Sequence, residues 1–274
     1  MGAARAPAVS GRFYPGARGE LERSVRDLLA AVPDARPARA RGAVAPHAGY
    51  PYSGFTAACV FARIEIPPVV VVLAPNHTGI ADAPYGISLW ESGAFRTPLG
   101  DVAVDEPFAA ALLAATPLVA VDRAAHHAEH AVEVELPFLQ VLRPDVRVVP
   151  LVLAVDRWEP CRDLGHALAA LVQRWPEPVL LLASSDLNHY EPAAVAERKD
   201  ALALEALTAL DGEELLAQCR HERISMCGRG PAATVVAAAR ALGAGRAVVV
   251  DHRHSGAVTG DDAAVVGYAG VVIP

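Results

Sequence analysis

Short apolar runs that stop abruptly at a polar tip set what this chain can become. Residues 69–81 read VVVVLAPNHTGIA: six apolar residues, then Pro75, Asn76, His77, Thr78 and Gly79. GAVAPHAGY (42–50) does the same around His47, and VLLLASSDLNHY (179–190) around Asp186 and His189. Runs of this length, rich in Val, Ile and Leu, read as strands buried on both faces. The pattern predicts such strands at 43–46, 69–74, 147–154, 179–183, 246–250 and 264–272, with a more exposed, alternating strand at 84–90.

Helix-like segments lie between them, at 19–32, 54–64, 105–115, 131–142, 159–174, 193–209, 212–220 and 232–242. Asp211 followed three residues later by Glu214 is a box-like helix start. Pro231 suits a first helical turn, and Gly243 a C-terminal stop. Strands alternating with helices predict one α/β domain over residues 1–274, its central mixed or parallel sheet flanked by helices. With 53% hydrophobic residues in 274, there is ample material for its core.

In such sheets the loops leaving the carboxyl ends of the strands converge on one crevice, where ligands bind. A His just past the last apolar residue escapes the cost of a buried, unpaired imidazole and points into that crevice. The three tips therefore predict that His47, His77, Asp186 and His189 meet. Cys227, in RISMCGRGP, precedes a helix whose N-terminus, with Arg229 nearby, would favour a thiolate, a nucleophile and a ligand for soft or borderline metals. Cys59, Cys161 and Cys219 fall inside helices and read as core residues.

HHAEHAVEVELPFLQ (126–140) is the densest titratable cluster. His130 leads into the following helix and joins the site; if that helix begins early enough, Glu133 shares its face. His126 and His127 read as solvated loop residues. Tyr50, Tyr52 and Tyr190 flank the motif histidines, as pocket lining or as packing.

Charge excludes some functions. The net charge is −7, and no Lys/Arg block provides a nucleic-acid face. No apolar stretch reaches the ~18 residues of a membrane span. The opening MGAARAPAVSGRFYPG lacks the apolar core of a signal peptide, and Ala6 stands where a myristoylation signal wants Ser or Thr. Four scattered cysteines without C-x-x-C suggest no disulfide framework, so the expected setting is cytoplasmic.

Taken in order, AVSGRFYPG (8–16), APHAGYPYSG (45–54), LAPNH (73–77), FRTPLG (95–100), EHAVEVELPFLQ (129–140), SSDLNHY (184–190), MCGRGP (226–231) and SGAVTGDDAAVVGYAG (255–270) resemble the Memo family, whose prokaryotic members include the AmmeMemoRadiSam system B proteins. The resemblance implies a fold similar to the class III, LigB-type extradiol dioxygenases, which hold Fe(II) with two His and one carboxylate. It assigns the two His positions to His47 and His77 and the carboxylate position to Cys227, with His189 as the acid–base histidine and Asp186 beside it. A thiolate shifts preference toward copper or zinc, although iron remains open to it.

The expectation is a metal-dependent, dioxygenase-like oxidoreductase. Its metal ligands are His47, His77 and Cys227, its catalytic residues His189, Asp186 and His130, with Asp186 or His130 holding His189. Its cofactor is iron or copper, with zinc, and then hydrolysis, as a variant. The alternative is a non-catalytic module that binds a small molecule, a peptide or a metal and acts with radical-SAM and AMMECR-type partners. A metal-free cysteine enzyme built on Cys227 ranks last, because it leaves His47 without a role.

Overall fold

The computed structural model describes residues 4–274. The strands are β1 (Ala4–Arg5), β2 (Gly42–Ala45), β3 (Val69–Pro75), β4 (Ile87–Leu89), β5 (Ala94–Thr97), β6 (Gly100–Val104), β7 (Ala120–Val121), β8 (Arg147–Leu153), β9 (Val179–Ser184), β10 (His189–Glu191), β11 (Val248–His254) and β12 (Val265–Ile273). The helices are α1 (Arg18–Ala30), α2 (Tyr50–Phe61), α3 (Glu106–Ala115), α4 (Ala124–His127), α5 (Leu136–Leu142), α6 (Trp158–Arg174), α7 (Ala193–Thr208), α8 (Gly212–His221), α9 (Arg229–Ala241) and α10 (Gly256–Thr259).

One mixed sheet runs through the molecule in the order β1-β5-β6-β8-β3-β9-β2-β12-β10. Its centre, β8-β3-β9-β2, is parallel. The run VVVVLA of β3 explains why it is central. Val69, Val71 and Leu73 join the core under α3, α6, α7, α8 and α9, whereas Val70, Val72 and Ala74 join the core under α1, α2 and α5. Both faces of the strand are dry, so the usual alternation of apolar and polar residues is absent. Each such Val contributes roughly 1.5–3 kcal/mol through burial.

The α/β architecture and its mixed sheet flanked by helices are as expected. Some elements are not. The antiparallel pair β5–β6 spans 94–104, turning within FRTPLG, where the sequence pattern predicts no strand. Short strands β1, β7 and β10 carry too few apolar residues for a periodic signal. The segment expected as a helix over 131–142 is a 3₁₀ turn at Glu133–Glu135 followed by α5. Pro137 suits that helix's first turn. Conversely, α2 begins at Tyr50, earlier than expected, because Pro51 sits at a position where its missing N–H costs nothing. Asp211 caps α8 as predicted, accepting from the Glu214 N–H at 3.0 Å.

No described helix is long and apolar enough to cross a membrane.

Candidate metal centre

Strand order brings the distant tips together. β9 lies between β2 and β3, in parallel with both, and Ala45 stands opposite Ser184. The chain therefore leaves β2 toward His47, β3 toward His77 and β9 toward Asp186 from one edge of the sheet. The rings of His47 and His77 lie 5.1 Å apart, centroid to centroid. His130 completes a triangle, 5.3 Å from His47 and 4.6 Å from His77. One ligand atom from each of the three lies within 4.8 Å of the others.

Each ring is held by neighbours that would orient it toward a cation. Glu129, buried, accepts from the His77 backbone N–H at 2.6 Å and pairs with His77 Nδ1 at 2.8 Å. The same carboxylate accepts from the N–H groups of His130 and Ala131, both at 2.9 Å, and lies 3.4 Å from His130 Nδ1. His47 Nδ1 pairs with Ser184 Oγ at 2.8 Å. With the Nδ1 atoms so engaged, the Nε2 atoms are left to share an ion, as in carboxylate–histidine–metal arrangements.

Protonation follows environment. Burial, together with the neighbouring imidazoles of His130, His77 and His189, holds His47 well below the usual histidine range. Burial likewise lowers His130. His77 is pulled down by burial, but the hydrogen bond and charge of Glu129 outweigh it and leave the group raised. Asp186, buried, is pushed up to about 7 by desolvation against the opposing N–H bonds of His47 and Ala48, at 2.9 and 3.3 Å. Its part is thus to fix the loop that carries His47.

Cys227 Sγ lies 3.3 Å from His47 Nε2. An imidazole nitrogen and a sulfur on one tetrahedral ion, at about 2.0 and 2.3 Å from it, would be about 3.5 Å apart. The sulfur thus stands beside the three imidazoles without belonging to their 4.8 Å group. What seats it there is Gly228: a Cβ on that residue would meet Ser184 O and Ser185 Cβ at 2.4 Å, so only glycine lets the start of α9 touch the end of β9. The expected thiolate does not follow. Arg229 turns to Asp156, at 2.7 Å, and burial, reinforced by the charge of Asp186, pushes the Cys227 thiol up. Desolvation wins over the helix N-terminus.

His189 is held by neither Asp186 nor His130. Its backbone N–H donates to Ser225 Oγ at 2.7 Å and its Nδ1 pairs with the Ser225 carbonyl at 3.0 Å, so Nδ1 carries the proton. Burial lowers its protonation, leaving a neutral ring with a lone pair, as a general base requires. Tyr190, next in the chain, takes a left-handed backbone (φ 58°) and is 78% exposed. Tyr50 is core: its hydroxyl donates to the Val134 carbonyl at 3.0 Å.

His126 departs from expectation. It is buried, its Nε2 pairs with the Ser88 carbonyl at 3.1 Å, and its ring meets Trp90 and Phe95 edge-on. His127 is exposed. Glu133 shares no helix face with His130, because the helical turn starts only at Glu133 itself. Instead Glu133 is buried against Arg5, the N–H groups of Ala8 and Val9, and the Tyr14 hydroxyl. Cys59, Cys161 and Cys219 are buried core residues, as expected.

Ser184 and Ser225 were not singled out by sequence, and Glu129 and Glu135 were read only as members of the titratable cluster at 126–140. The only signal of the two serines is membership of the motifs around Asp186 and Cys227, since Ser has no spacing rule of its own. A cleft of about 260 Å³ opens beside the cluster, lined by His77, Cys227, Asn76, Asp156, Arg229 and Pro231 among others.

Comparison with known proteins finds relatives over nearly the whole chain. A family model described as Memo-like protein matches residues 5–272. A MEMO1 family protein of Methanopyrus kandleri is 39% identical over 280 residues, covering 98% of each chain. Another, from Aquifex aeolicus, is 39% identical over 269 residues with the same coverage. Among solved structures, an uncharacterized protein of Escherichia coli K12 superposes with a TM-score of 0.55 over 86% of this chain and all of that one. At 15% identity it speaks for the fold alone.

Proposed function

The chain belongs to the Memo family, and from that premise we propose that it binds one first-row transition ion and uses it as an oxidoreductase. The observation that carries the reading is the convergence of His47, His77 and His130 within 4.8 Å, with the outward nitrogens of His47 and His77 anchored on Ser184 and Glu129. The donor set fits such an ion: buried His47 and half-buried His130 are held toward the neutral form, which does not repel a cation, and Glu129 beside His77 supplies a compensating charge. Cys227 adds a soft donor next to His47. Imidazole with sulfur suits iron, copper and zinc, and not the oxygen-seeking magnesium or calcium.

Iron or copper is the ion proposed, and bound there it would supply one-electron chemistry. His189 is the acid–base residue, receiving or returning a proton at Nε2. The cleft beside His77 and Cys227 admits a small molecule or the end of a peptide. Three imidazoles also suit zinc, which would make the reaction a hydrolysis by activated water. The association with radical-SAM and AMMECR-type proteins is likewise proposed, on the sequence resemblance, and co-purification tests it.

Metal analysis of untagged protein decides the first point. One equivalent of iron or copper, lost in His47→Ala and His77→Ala, is expected. Protein that takes up none of the three ions under anaerobic reconstitution would sink the reading.

A further inference from the structure

Ser184 Oγ has three close partners: the Ala131 carbonyl at 2.8 Å, Glu135 Oε1 at 2.7 Å and His47 Nδ1 at 2.8 Å. A hydroxyl carries one hydrogen and can accept two. The Ala131 carbonyl can only accept, so the serine hydrogen must go there. The other two partners must then be donors. We infer that Glu135 is held as a neutral carboxylic acid donating from Oε1 to Ser184, and that Ser184 in turn fixes His47 as the Nδ1–H tautomer, with the Nε2 lone pair facing the site.

The opposite end of the same carboxyl agrees. Among the described residues, Glu135 Oε2 is buried without a hydrogen-bond partner. An ionised carboxylate would leave charge on that orphan oxygen, the costliest of the choices, whereas an acid protonated on Oε1 leaves only a carbonyl there. Desolvation acts in the same direction, pushing the Glu135 carboxyl well above the usual range. Ser184 and Glu135 are therefore positioning residues. They act through His47 Nδ1, and they present its other ring nitrogen in the form that can donate an electron pair.

The consequence for metal affinity rests on the reading proposed above, but the arrangement itself is testable without metal. In the metal-free full-length chain, nitrogen NMR of ¹⁵N-labelled histidine is expected to show His47 protonated on Nδ1. In Ser184→Ala this preference should be lost and Nε2–H should appear. Infrared difference spectra of wild type against Glu135→Gln at neutral pH should reveal one protonated-acid carbonyl band belonging to Glu135. Glu135→Gln keeps a donor toward Ser184, so its fold and His47 tautomer should not change. Its Co²⁺ affinity should stay within about threefold, whereas Ser184→Ala should lose roughly 10–100-fold. A wild-type His47 carrying its proton on Nε2, or a Glu135 without a protonated-acid band, would overturn the inference whether or not the protein binds metal.

Discussion

Glu129 grips His77 twice, accepting from its backbone N–H at 2.6 Å and pairing with its ring Nδ1 at 2.8 Å. The same carboxylate also accepts from the N–H groups of His130 and Ala131. One buried acid thus sets both the loop and the ring direction of two candidate ligands.

Glu129→Gln should therefore weaken ion binding by roughly 10–100-fold, as loss of an orienting partner does. Its amide nitrogen cannot accept, so one or more N–H groups lose a partner, at about 1–3 kcal/mol. Calorimetric titration with Co²⁺ and urea unfolding measure the two effects. Unaltered affinity would mean that His77 needs no orienting carboxylate.

Cys227 sits where it can join an ion bound to His47. Wild-type protein loaded with Cu²⁺ or Co²⁺ should show a sulfur-to-metal charge-transfer band, absent in Cys227→Ser. Because three imidazoles remain, that variant should still bind the ion, whereas His47→Ala should not. A wild-type spectrum without the band would limit the donors to nitrogen.

Gly228→Ala places a methyl group into Ser184 and Ser185. Overpacking of this kind costs about 1–3 kcal/mol. The start of α9 must move away from β9 and carry the sulfur with it. The charge-transfer band should weaken together with the melting temperature, which one thermal scan and one absorption spectrum check.

His126 supplies a pH dependence from outside the three-imidazole cluster. Burial pushes it down to about 4, from an ordinary value near 6.5. The unfolded chain binds this proton first, so stability is complete above about pH 6.5 and falls as the pH drops toward 4, by on the order of 3 kcal/mol. His126→Phe should flatten that part of the profile in urea unfolding. An identical acid-side slope in the variant would remove His126 as its source.

Arg5 is fully buried, pairing with Glu133 and donating to the carbonyls of His126 and Glu129. It ties the first strand to the segment that carries Glu129 and His130. Removing one side of a buried ion pair costs about 3–5 kcal/mol. Arg5→Met should show that loss in chemical denaturation, along with weaker Co²⁺ binding; a loss below about 1 kcal/mol would argue that water reaches Glu133.

The central strands were legible because a buried parallel strand has only one way to be written, as the run in β3 demonstrates. The convergence of His47 with His77 was legible for the same reason: strand ends on one edge must meet. His130 was legible as a catalytic member of the site but not as a candidate ligand, since its place depends on the segment between β7 and α5 that no periodicity describes. His126 and His127 look alike in sequence. Both rings meet Trp90 edge-on, yet His126 is buried and His127 exposed, and that depends on how α4 docks. Ser184 was hidden by its own strand, where a small polar residue at the end of an apolar run reads as punctuation.

Ala45 stands opposite Ser184 across the β2–β9 ladder. A slip of one residue would turn the serine hydroxyl to the other face of the sheet, out of reach of His47 and Glu135. Alignment of these two strands is thus a gauge for the imidazole as well as a source of cohesion. A chain that paired them one step out would keep most of its greasy interior yet lose the aim of its histidine.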